Sequence, residues 1–156
     1  MPRRSILSAA ERASLLLPPD TEDELIRHYA FGETDLSLIR QRRGDANRLG
    51  VAVQLCLLRF PGQGLLPDAS MPMSLLQWIG RQLRIDPSCW PQYAEREETR
   101  REHLLEPRAY LGVEPFGLAP YRQAVHATTE LALQTDKGIV LAVNVLDTLR
   151  HRHIII

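Results

Sequence analysis

RGDANRLGVAVQLCLLRFPG, residues 43–62, decides how this chain is read. Between Leu49 and Leu58 only Gly50 and Gln54 interrupt an apolar run. A surface helix keeps one polar face, whereas a helix apolar almost all round belongs inside a bundle. Pro61-Gly62 then stops it. Asn47, Gly50 and Gln54 are spaced three and four apart, so they share one helical stripe. Arg43 and Arg48 make its entrance basic. The stretch therefore predicts a buried scaffold helix over 45–60 with an entrance suited to phosphate.

Outward from that helix the pattern stays helical. Ser8 with Glu11, and Thr21 with Glu24, have capping-box spacing. Helices are expected over 9–17, 22–30 and 35–43, and beyond the scaffold helix over 74–84, 91–111, 120–135 and 137–151. Pro107 falls inside the 91–111 pattern and is expected to break it near Glu106. No segment alternates apolar and polar residues with β-branched enrichment, so no strand is expected. The fold class is all-α, a multi-helix bundle with helix-turn-helix-like elements. Residues 61–72 hold Gly62, Gly64, Pro67 and Pro72, the best linker in the chain. Two small helical units are expected on either side of it, 1–66 and 67–156. Ile154, Ile155 and Ile156 would be a liability on a fraying terminus, and they read as the start of a buried segment in a longer chain.

Composition excludes more than it assigns. The 156 residues carry no net charge, so no global basic field argues for nucleic acid. The distribution is less even. Residues 13–33 hold five acids and one Arg, a balance of −4, and residues 34–60 hold five Arg against Asp35 and Asp45, a balance of +3. Eighteen of the 19 basic residues are Arg, the better residue for bidentate contact with phosphate, although a GC-rich genome also favours it. The longest apolar runs are too short to span a bilayer, and no signal peptide is present, so no membrane partner is expected. Cys56 and Cys89 lack paired spacing and suit small core positions in a reducing cytoplasm. The five histidines never meet a cysteine at metal-ligand spacing, and no phosphate loop or nucleophile elbow occurs. The chain reads as non-catalytic, with no cofactor.

The candidate binding residues follow from the basic stretch. Residues 22–43 have the length of a helix-turn-helix, but the leading end of its second helix carries Glu33 and Asp35, which phosphate repels. Arg40, Arg42 and Arg43 sit at the trailing end, where they suit either a backbone clamp or the helix dipole. Asn47 and Gln54 carry amides that pair with an adenine edge or, equally, satisfy a buried neighbour. Arg48 and Arg59 lie three turns apart on an adjoining face, within reach of phosphates. A second, weaker set is Arg96, Arg100 and Arg101 in YAEREETRREHL, residues 93–104. That segment also reads as a self-neutralised surface through pairs such as Glu97 with Arg101.

The stretch 43–62, together with TEDELIRHYAF at 21–31, YAEREETRREHL at 93–104 and TDKGIVLA at 135–142, resembles the N-terminal region of transposases of the Tn-three family, the class II replicative transposons. The resemblance implies a DNA-binding region for double-stranded terminal inverted repeats, within a large transposase. It also implies metal-binding catalytic carboxylates in a C-terminal half that this chain lacks. The implied partners are inverted-repeat DNA and the rest of the transposase chain. The alternative is a helical protein–protein module, serving dimerisation or contact with the catalytic region.

Overall fold

The computed structural model describes residues 5–66, 70–95 and 97–156. Its helices are α1 (Ala9–Ser14), α2 (Glu22–Tyr29), α3 (Glu33–Arg40), α4 (Asp45–Arg59), α5 (Met73–Leu83), α6 (Trp90–Ala94), α7 (Glu97–Leu111), α8 (Leu118–Ala132) and α9 (Gly138–His151). A short 3-10 turn, Pro87–Cys89, leads into α6. The all-α class holds: among the described residues the only extended pairing is one parallel bridge between Glu114 and Ile154.

Helix α4 is the axis. Every residue from Leu49 to Leu58 is buried, and α2, α3, α5, α6 and α7 pack around it. The core draws Leu25 and Tyr29 from α2, Ile39 from α3, and Leu75, Leu76 and Ile79 from α5. Residues on both sides of segment 61–72 thus share one core. A second, smaller apolar cluster of Ala124, Leu149 and Ile154 lies between α8, α9 and the C-terminal residues.

Polar side chains fix how the helices meet. The Tyr29 hydroxyl donates to the Phe60 carbonyl at 2.6 Å. Gln82 donates to the Tyr29 carbonyl at 2.8 Å and accepts from the Phe31 N–H at 2.9 Å, so one amide closes the end of α2 against α5. Gly50 and Gln54 receive α6 and α7. An added Cβ on Gly50 would stand 2.3 Å from the Tyr93 ring. The Gln54 amide donates to the Tyr93 hydroxyl at 2.9 Å and to the Arg100 carbonyl at 2.7 Å.

Local expectations are corrected in four places. Ser8 and Glu11 form their capping box, but the Thr21 hydroxyl donates to the Glu24 carboxylate at 3.0 Å and does not cap α2. A charged acceptor on the same turn is the stronger partner for that hydroxyl. Helix α3 starts at Glu33 because Asp35 accepts the Gly32 N–H at 2.9 Å, and it ends at Arg40, before the turn to Gly44. The span 91–111 divides into α6 and α7. That division lets Tyr93 lie over Gly50 while His103 stacks on its ring, centroids 5.7 Å apart. Pro107 does not end α7; it sits buried within a continuous helix. The carbonyl partner it cannot supply is offset by the packing of α7 along α4.

The C-terminal residues do not fray. Ile154 is buried, the Ile155 N–H donates to the Glu114 carbonyl and the Ile156 N–H to the Gly62 carbonyl, each at 2.8 Å. Arg150 ties α9 to the main core. Its Nε donates to the Pro61 carbonyl at 2.7 Å, and its guanidinium lies 4.7 Å from the centre of the Phe60 ring, which stacks on His28.

Gly50→Ala drives a methyl group into the buried Tyr93 ring, so overpacking is expected to cost about 2–3 kcal/mol. Thermal unfolding followed by circular dichroism checks this; a melting temperature within about a degree of the parent would refute the close-approach role of Gly50.

Candidate nucleic-acid interface

The turn between α3 and α4 gathers the basic residues. Gly44 adopts φ +81°, a conformation open to glycine, and brings no side chain to cap α4. The first amides of α4 therefore have no side-chain acceptor and face outward from the positive end of its dipole. Asn47 donates to the Arg43 carbonyl at 3.0 Å, and the Arg48 Nε donates to the Arg42 carbonyl at 2.8 Å. These two bonds fold the loop back on the helix and hold the Arg48 guanidinium beside it. Arg40 and Arg43 are exposed and have no side-chain partner among the described residues.

The other expected binding residues are distributed differently. Arg42 pairs with Glu106 of α7, which fastens the loop to the bundle. Arg59 is corrected from phosphate ligand to structural cation: it grips Asp35 with two hydrogen bonds, at 3.0 and 2.5 Å. Gln54 is corrected likewise, since it is 1% exposed and spends its amide on Tyr93 and Arg100. Both lie on an all-round buried helix, where polar groups must find partners inside. Arg100 is half-buried and supplies a carbonyl to Gln54. Arg101 is exposed and pairs with Glu97 at 2.6 Å, a contact on the solvent face that anions can exchange. Arg96 lies outside the described residues. Among the described residues no three His, Cys, Asp or Glu side chains gather as a metal site, and no helix is long and apolar enough to cross a membrane.

The support beneath the loop is electrostatic. Asp35 accepts from Arg59, from the Tyr110 hydroxyl at 2.7 Å and from the Gly32 N–H. Burial pushes its carboxyl up, but those donors together hold it below the ordinary 3.8. Asp35 thereby joins α3, α4 and α7. Sequence spacing marked it only as a local acid, because Arg59 and Tyr110 lie 24 and 75 residues away. Near Arg42, burial lowers His103, with the Arg42 charge adding to the effect and Glu102 opposing it.

Comparison with known proteins gives the class. A family described as a domain of unknown function (DUF4158) matches residues 6–156, and the chain belongs to that family. It is 60% identical over 156 residues to the transposase for transposon Tn3926 of Escherichia coli, covering all of this chain and 16% of the relative. It is 56% identical over 152 residues to the transposase for transposon Tn501 of Pseudomonas aeruginosa, covering 97% of this chain and 15% of that protein. The transposase for Tn21 of Escherichia coli is 57% identical over 156 residues. The family resemblance read from 43–62 is therefore correct, and the chain spans about a sixth of the length of these relatives.

Two outcomes follow from this geometry. Asp35→Ala strands the half-buried Arg59 and is expected to lower stability by about 2–3 kcal/mol, discounted for the exposed part of the guanidinium; urea unfolding measures it, and a change under about 0.5 kcal/mol would contradict the joint. Stability is also expected to fall as pH drops below the unfolded histidine value of 6.5. His103 and His28 bind protons more weakly folded than unfolded, so unfolding takes protons up. His103→Gln should flatten melting temperature against pH between about 6.5 and 5. An undiminished slope would show that His103 does not carry the effect.

Proposed function

We propose that this region holds DNA for a transposase, binding the terminal inverted repeats through the loop between α3 and α4. One observation carries the reading: in a chain with no net charge, Arg40 and Arg43 stand exposed and unpartnered among the described residues, beside Arg48 and the uncapped start of α4. Guanidinium groups and helix amides converge there on the same anionic partner, a phosphate backbone. Asn47 steadies the loop from the start of α4. The exposed Glu33 at the leading end of α3 disfavours a phosphate backbone there. The relatives' names, transposases of transposons, agree with DNA as the substrate. Catalysis belongs in this reading to other parts of the longer polypeptide.

Fluorescence anisotropy against a labelled inverted-repeat duplex and a scrambled duplex, over a salt series, tests the proposal. Tighter binding to the repeat with a steep salt slope is expected. Arg40→Ala combined with Arg43→Ala should weaken binding to both duplexes and lower the slope by roughly 2, about one for each lost phosphate contact. An unchanged slope in a folded double variant would remove this loop from the interface.

A further inference from the structure

The helix pair α8–α9 leaves a run of apolar side chains uncovered by the core. A groove of about 380 Å³ runs between the two helices, with Phe116, Tyr121, Val125, Val145 and Leu149 among its walls. Phe116 is 51% exposed, Tyr121 54% and Val125 49%. Thr128 and Thr129 also line it, but their hydroxyls donate to the Ala124 and Val125 carbonyls at 2.6 and 2.8 Å. Those side chains offer a ligand little polar purchase, so the groove selects an apolar occupant and not a phosphate backbone.

The hairpin also needs cover. Among the described residues its own cluster buries only Ala124, Leu149 and Ile154, and the described polar links to the main core run through Arg150 and the C-terminal backbone. Two helices of 15 and 14 residues with so small a shared core gain little from each other alone. Exposed apolar side chains clustered beside so shallow a core suit a docking face.

We propose that the α8–α9 groove receives the apolar face of a helix from the remaining part of the transposase polypeptide, completing a three-helix bundle. The relatives that this chain matches are about six times as long, since the match covers 16% of them. The rest of the same polypeptide is thus present at high effective concentration, an advantage that a second molecule lacks. A ridge of side chains spaced three and four apart fits a groove between two packed helices. The occupant stays in place whether or not the arginine loop meets DNA.

Amide hydrogen exchange tests this, comparing the 156-residue chain with an intact transposase polypeptide that contains it, both without DNA. Amides of α8 and α9 are expected to exchange roughly tenfold or more slowly in the intact polypeptide, with those of α4 alike in both. The 156-residue chain should sediment as a monomer, its α8–α9 exchange independent of concentration. In the intact polypeptide, Val125→Asp should return α8–α9 exchange to the faster rate and Val125→Leu should not. Equal α8–α9 exchange in the two proteins would overturn the proposal. So would self-association of the shorter chain with protection that rises with its concentration, which would assign the groove to a second copy.

Discussion

Burial of α4 on all sides is the constraint from which the remaining architecture follows. Ten consecutive buried residues, Leu49 to Leu58, require neighbours around the full circumference of a helix, and five other helices supply them. Dense packing around such an axis leaves little freedom at any one contact. Gly50 is the point of closest approach, where the Tyr93 ring lies against the bare backbone. Gln54, one turn on, turns a buried polar group into a joint by bonding both α6 and α7. The amide fixes the rotation of these helices about α4, which apolar contact alone would leave loosely defined.

The same axis determines where basic charge can appear. Side chains beyond the first turn of α4 are turned into the bundle, so its surface chemistry is confined to its two ends. The leading end exposes Arg43 beside Gly44, while the half-buried Arg48 lies 3.9 Å from the Asp45 carboxylate. The trailing end carries Arg59, drawn inward by Asp35, and then Phe60, covered by His28 and Arg150. Arginines at opposite ends of one helix therefore serve different purposes. One end meets solvent; the other binds α3, α7 and α9 together.

Electrostatic pairing divides the basic residues in the same way. Arg42, Arg59 and Arg150 each reach across the fold to a carboxylate or carbonyl contributed by another element. Removing water from such groups is costly unless their hydrogen bonds are met, and here most are. Arg40 and Arg43 stay exposed and without a side-chain partner among the described residues. Zero net charge and a local basic site are thus compatible, because acids such as Asp35 and Glu106 neutralise the arginines that hold the fold.

The sequence by itself determined the helical class, the central position of the helix in 43–62, the basic turn before it and the family to which the chain belongs. These are legible because apolar periodicity, Gly and Pro punctuation and helix capping are local, acting within a few residues. Only the tertiary structure decided which arginines are spent. Arg42 and Arg59 look no different from Arg40 and Arg43 in sequence, yet their partners Glu106 and Asp35 stand 64 residues after and 24 residues before them. The fate of Gln54 depended on Tyr93 in the same way, and the persistence of α7 through Pro107 on its packing against α4. The division between the two is physical: local pattern fixes which segments form helices, whereas burial and pairing across the fold fix which side chains remain available.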